Sequence, residues 1–218
     1  MTPEREKRFM EIASRRQYNL TVILENVHDQ HNIGAVLRTA DSVGIKEVFV
    51  LYSEPELAVK NIVLGKRTSS GARKWVDVHF YTDLDACFEH VRQNYDLILS
   101  THLDEKPKSI YDLDLTQSVA LLFGNEHDGV SEEALKQSDG NFIIPQMGMV
   151  KSLNISVACA VTLYEAFRQR NEKGFYTENK PMPEADQLAL YEEYQRRHES
   201  KATRKKAFNQ DFRGNVEK

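Results

Sequence analysis

Two hundred and eighteen residues, 40% apolar and 28% charged, suffice for one α/β domain with its own core. Such a share of core formers excludes a disordered chain, and no apolar run reaches the ~18 residues of a transmembrane helix. Cys87 and Cys159 are the only cysteines, which excludes a disulfide framework and a cysteine zinc site. The charged start Met1-Thr-Pro-Glu-Arg does not read as a secretory signal, so a reduced, cytoplasmic chain is expected.

The net charge of −4 speaks weakly against a polyanionic partner, but the distribution of charge speaks for one. From Ala58 to Val76 there is no acid, against Lys60, Lys66, Arg67, Arg73 and Lys74. The segment from Arg196 to Arg213 is strongly basic, and Arg5, Lys7, Arg8, Arg15 and Arg16 crowd the N-terminus. Local patches of this kind are what a phosphate backbone reads. Arg8, Arg15, Arg16, Lys66, Arg67, Arg73 and Lys74 are the RNA-binding candidates; solvated helix faces are the alternative reading.

In chain order, Thr2-Pro3-Glu4 opens a helix carrying Phe9, Ile12 and Ala13 at helical spacing. Strands are predicted over 20–25, 47–52, 76–81, 96–100, 118–123 and 142–145. Helices are predicted over 32–43, ended by Gly44, then 83–94, 131–138 and 153–171. Residues 53–72 read as a loop around a short helix. Alternating elements with unbroken apolar strands predict an α/β fold, a mostly parallel sheet with helices on both faces. After Gly174 the composition turns polar, Pro181 and Pro183 mark a linker, and a helix is predicted over 184–198. The division is a helical extension over 1–18, a main domain over 19–173, and a linker, helix and basic tail over 174–218.

Three clusters place polar residues where strands end. The first runs from His31 to Ala40. In it Asn32 is a helix-cap type, and Arg38 lies on an otherwise small or apolar helix, where a structural salt bridge is the alternative to chemistry. The second is Gly124-Asn-Glu126, following an apolar strand; ligands of open α/β sheets bind at such carboxyl ends, and Glu126 has a helix-capping alternative. Neither a Gly-Lys-Ser/Thr loop nor a Gly-x-Gly-x-x-Gly fingerprint is present. The third is Ile144-Pro…Ser152-Leu-Asn154, an apolar loop in which Met147, Met149 and Leu153 suit a pocket for a flat, uncharged ring. Ser152 is equally a candidate N-cap. His28 and His31 lack partners at metal spacing, so no metal is expected. Cys159, among Val157, Ala158 and Val161, reads as core.

Together the clusters resemble the three signature motifs of the SPOUT methyltransferases, within it the SpoU branch of RNA ribose 2′-O-methyltransferases. Arg15-Arg-Gln, Glu25-Asn-Val-His28, Arg38-Thr-Ala-Asp-Ser-Val-Gly44 and Gly148-Met-Val-Lys-Ser-Leu-Asn154 are similar to the tRNA guanosine-18 2′-O-methyltransferases. The resemblance spans roughly residues 5 to 175. It implies an S-adenosylmethionine cofactor held at Thr101, Gly124, Ile144 and Leu153, and catalytic positions at Asn32, Arg38, Glu126, Ser152 and Asn154. It also implies a deep C-terminal trefoil knot, a homodimer with its active site near the subunit interface, and tRNA as partner. Gly34, Asn125, His127 and Gln146 depart from the usual pattern and leave the five polar positions intact. A ribosomal RNA methyltransferase is the alternative enzyme, and a non-catalytic RNA-binding protein is the alternative outside enzymes.

Overall fold

The computed structural model describes residues 2–54, 57, 71–102, 108–150 and 152–199. The helices are α1 (Pro3–Ser14), α2 (Gln30–Ser42), α3 (Leu84–Arg92), α4 (Glu132–Lys136), α5 (Ile155–Glu172) and α6 (Glu184–Glu199). The strands are β1 (Leu20–Glu25), β2 (Glu47–Leu51), β3 (Asp77–Tyr81), β4 (Leu97–Thr101), β5 (Lys108–Ser109), β6 (Val119–Phe123) and β7 (Gly140–Ile143). All seven strands are parallel, in the order β3-β2-β1-β6-β4-β7-β5.

β1 and β6 lie at the centre and are buried along their whole lengths, as unbroken apolar sequences with helices on both faces require. On one face α2 and α5 cover the larger core, which includes Leu24, Ile33, Leu37, Leu121, Phe123 and Leu163. On the other face α3 and α4 cover Ile23, Phe49, Phe88, Ile98 and Leu122. A third cluster holds α1 against α6 through Phe9, Ala13, Leu190 and Tyr194.

The predicted elements return with shifts at their ends. α2 begins at Gln30, because the Asp29 carboxylate accepts the His31 N–H at 2.8 Å and Asn32 lies inside the first turn. Gly44 ends that helix at φ +83°, where a Cβ would meet the Arg15 carbonyl oxygen at 2.9 Å. The last predicted strand, 142–145, lies instead at Gly140–Ile143, and Pro145 falls beyond it. β5 has only two residues, too few to show a period, and escapes sequence reading. Most of the loop predicted over 53–72 lies outside the described residues, as does the basic tail beyond Glu199.

Arginine side chains enter the interior of the protein. Arg170 on α5 is fully buried and faces only uncharged acceptors. Its Nε donates to the Leu115 carbonyl at 2.9 Å. Nη1 donates to Gln17 Oε1 and Asn19 Oδ1, and Nη2 to the carbonyls of Asn19 and Gln117 at 3.1 and 2.7 Å. Burial pulls this guanidinium down to about 10, still well above neutrality. Every donor of the fork is used, and α5 is fastened to the segment that leads into β6. Arg170→Met removes five hydrogen bonds and leaves buried carbonyls unmatched. It is expected to lower unfolding free energy by about 3 kcal/mol or more, read as a fall in the urea midpoint.

Candidate active site

The carboxyl ends of β1, β4, β6 and β7 converge on one side of the sheet, and the starts of α2 and α5 lie against them. A cavity of about 400 Å³ opens there. Its apolar walls come from Phe123, Phe142, Ile144, Leu153, Ile155 and Ala158, and its polar rim from Thr101, Asn125, Glu126 and Ser152. Thr101, Gly124, Ile144 and Leu153, from four separate segments, all line it.

The turn after β6 is built tightly. Asn125 bridges to Gly129, and its side-chain oxygen accepts the N–H groups of His127 and Asp128 at 2.8 and 2.7 Å. A Cβ on Gly124 would sit 1.9 Å from the Gly129 carbonyl oxygen, so only glycine lets the turn close. Glu25, at the end of β1, holds the far side: it accepts the Ser131 N–H at 2.9 Å and the Ser131 hydroxyl at 2.6 Å. Burial pushes the Glu25 carboxyl above the usual carboxylate range, against the pull of those two hydrogen bonds.

One side-chain chain joins all three sequence clusters. Asn154 Nδ2 donates to Asn32 Oδ1 at 3.2 Å, and Asn32 Nδ2 donates to Glu126 Oε1 at 2.5 Å. The remaining acceptor of Asn154 takes the N–H and hydroxyl of Ser156 at 2.9 and 2.6 Å. Each member therefore fixes the next, and the free oxygen of Glu126 remains at the cavity rim.

The structure corrects several expectations. The cap of α5 is Asn154, so Ser152 does not cap the helix and stands exposed at the cavity. Glu126 does not cap α4; Ser131 does, with its hydroxyl accepting the Ala134 N–H. Met147 and Met149 do not line the cavity and are 95% and 100% exposed, because the loop turns these side chains outward between Gln146 and Ser152, which do line it. Arg38 is exposed on α2 and has no hydrogen-bonded or ion-pair partner among the described residues, so the salt-bridge alternative is not realised there. It lies six residues beyond Asn32, about 9 Å along the helix, and no contact ties it to the Asn32–Glu126–Asn154 chain.

Of the RNA-binding candidates, Arg8 and Arg15 are exposed on or beside α1, and Arg73 and Lys74 are half-buried in the turn before β3. Arg16 is corrected: it is 1% exposed and donates to the Tyr194 hydroxyl, the Ile45 carbonyl and Asp41, so it joins α1, α2 and α6. Arg197, in the predicted basic tail, is likewise buried and paired with Asp77 and Glu193. Lys66 and Arg67 lie outside the described residues. Glu25 stands in the motif Glu25-Asn-Val-His28 without an expected role; the signal for one is a carboxylate closing an otherwise apolar strand. Among the described residues no cluster could hold a metal ion.

Comparison with known proteins places this geometry in context. The model of the SpoU rRNA Methylase family matches residues 19–164. A tRNA (guanosine(18)-2′-O)-methyltransferase of Thermus thermophilus is 42% identical over 189 residues, covering 87% of this chain and 95% of the relative. The crystal structure of the Aquifex aeolicus TrmH/SpoU tRNA modifying enzyme superposes with a TM-score of 0.78 at 31% identity, over 91% of this chain and 98% of that one. The SpoU methyltransferase AviRb from Streptomyces viridochromogenes, solved in complex with AdoMet, gives a TM-score of 0.61 at 26% identity, over 72% and 62% of the two chains.

The closure of the turn after β6 is testable. Gly124→Ala forces its two limbs apart and is expected to cost about 1–3 kcal/mol of stability, seen as a lowered melting temperature. An unchanged melting temperature would mean that the turn opens without cost.

Proposed function

This chain belongs to the SpoU rRNA methylase family, and on that premise we infer that it methylates a ribose 2′-hydroxyl of tRNA, at guanosine 18. The observation that carries the reading is the convergence of Asn32, Glu126 and Asn154 beside the cavity lined by Thr101, Gly124, Ile144 and Leu153. The near-complete length match to the tRNA enzyme supports tRNA over ribosomal RNA. The cavity fits S-adenosylmethionine: its volume is within the range of small-molecule sites, its walls suit a flat ring, and a polar rim stands at one end. When bound, that cofactor supplies the methyl group.

The chain's own residues then have two tasks, alignment and charge. Ile144 and Leu153 exclude water from the cavity, and the Glu126–Asn32–Asn154 chain fixes the rim against which the ribose lies. Ser152, exposed at that rim, offers a hydroxyl through which the ribose proton can pass to solvent water as the new O–C bond forms. Arg38 meets the nucleotide as a cation. An arginine acting as a neutral base at pH 7 would cost about 7–9 kcal/mol, from an ordinary pKa of ~12.5–13.8. Its role is therefore to hold phosphate and stabilise the forming alkoxide.

The assembly is a homodimer. The first half of α5 is largely apolar, and outward-facing Val157 and Tyr164 are 47% and 53% exposed in the single chain. A second copy covering that face brings its neighbouring residues toward the first copy's cavity. A C-terminal trefoil knot belongs to the same reading, with α5 fastened to the segment before β6. Residues 1–18 and 174–218 are appendages to the domain over 19–173, with Arg8, Arg15, Arg73 and Lys74 as phosphate contacts. Both cysteines are buried free thiols, and a cytoplasmic setting suits them. Among the described residues no helix is long and apolar enough to cross a membrane.

Bulk tRNA incubated with labelled S-adenosylmethionine should yield 2′-O-methylguanosine on nucleoside analysis; label on a base or none at all would overturn the reading. Arg38→Ala should lower turnover by about 100-fold or more, with cofactor affinity by calorimetry within twofold, and Arg38→Lys should retain part of the rate. Tyr164→Asp should shift the chain from dimer to monomer in light scattering.

A further inference from the structure

We propose that the hollow between α1, α6 and the turn before β3 is a pocket for an unpaired guanosine nucleotide of the RNA, separate from the one that is methylated. The proposal rests on RNA being the substrate and adds a second recognition site to that reading. A cavity of about 380 Å³ opens there. Arg5, Arg8 and Ile12 reach it from one face of α1, as residues spaced by three and four along a helix do. Phe9 and Tyr194 line it as buried rings and Trp75 as a half-buried one. Asp41 lies nine residues beyond Asn32 on α2, about 13 Å along the helix, so a nucleotide held here is not the one at the catalytic rim.

Aromatic packing fixes the indole. The Phe9 and Trp75 centroids are 5.3 Å apart, and Tyr194 meets Trp75 edge to face at 5.4 Å. Trp75 is therefore held from within the fold and still reaches solvent. A rigid ring with an open surface is a stacking platform for an unpaired base.

Charge selects the rest of the ligand. Arg5 and Arg8 are exposed, and their side chains make no hydrogen bond or ion pair among the described residues. Lys74 places its Nζ 4.9 Å from the Trp75 ring centre. Cations beside a stacking surface suit the phosphate of a nucleotide. Asp41 selects the base. Its Oδ1 accepts Arg16 Nη2 at 2.5 Å, while its Oδ2 has no hydrogen-bond partner among the described residues. That carboxylate accepts N–H groups and repels anions, so an acidic peptide is a poor occupant. Guanine presents N1–H and N2–H side by side on one edge. Adenine and cytosine offer only an amino group there, and uracil one imino group.

Trp75 is the only tryptophan of the chain, so its fluorescence reports on this pocket alone. The full chain is titrated with a tRNA transcript, GMP and AMP, with filter binding and methylation of the transcript measured alongside. tRNA and GMP should both quench the indole, with Kd for GMP about 5- to 10-fold below that for AMP. Asp41→Asn should bring the two nucleotides to within twofold of each other. Arg5→Ala and Arg8→Ala should each raise Kd for GMP and for tRNA about 5- to 10-fold, with S-adenosylmethionine affinity within twofold. Both arginines are exposed, so these variants keep the fold and read the pocket even where Asp41→Asn lowers stability. Binding of tRNA with unchanged Trp75 emission, equal quenching by GMP and AMP, or equal competition by polyglutamate would each overturn the pocket. Arginine variants that weaken GMP and leave tRNA affinity unchanged would assign the pocket to a free nucleotide and overturn its RNA role. A wild-type chain that binds tRNA and quenches without methylating overturns the proposed function and leaves the pocket standing. Failure to bind tRNA overturns both.

Discussion

Asn32 is the side chain on which the geometry of this site depends. Its carboxamide donates to Glu126 from one end and accepts from Asn154 at the other. Each partner sits on a segment that begins where a parallel strand or the loop after it ends, and none of the three segments is otherwise joined to the others by secondary structure. A carboxamide suits this position because it presents a donor and an acceptor in one rigid plane. A carboxylate there would repel Glu126, and an aliphatic residue would remove the partner of Glu126 Oε1 and of Asn154 Nδ2. Asn32 thus ties the Glu126 part of the cavity's polar rim to the start of α5.

Behind the rim, the supporting arrangement relies on polar groups in unusual places. Glu25 reaches from β1 across to Ser131 and is held there despite the cost of burying its carboxyl. Arg170 spends its whole donor fork on neutral oxygens, and Arg16 links three helices through a hydroxyl, a carboxylate and backbone carbonyls. These groups fasten loops that hydrophobic contacts alone would leave free to slide, because hydrogen bonds specify direction as well as distance. The positioning of the strand ends follows from them.

The surface is divided by the same logic. The exposed side of α5 carries Val157 and Tyr164 in its first half, the ends of β1 and β6 carry histidines and carboxylates, and arginines and a lysine lie near α1 and β3. In the proposed function a second copy, a nucleotide and a phosphate backbone each meet one of these surfaces.

The sequence by itself determined the parallel α/β architecture, since period and apolar continuity are local properties that leave no other way to bury strands such as β1 and β6. It also determined that Asn32, Glu126 and Asn154 belong to strand-end clusters, because polar residues interrupting apolar runs are visible in one dimension. Only the tertiary structure decided that the three touch, that Asn154 and not Ser152 caps α5, and that Met147 and Met149 face solvent. Only it showed Arg16 and Arg170 to be core cations. Charge and residue type are written in the sequence, but burial depends on which distant carbonyls and hydroxyls arrive to satisfy a guanidinium, and that is settled by chain-wide packing.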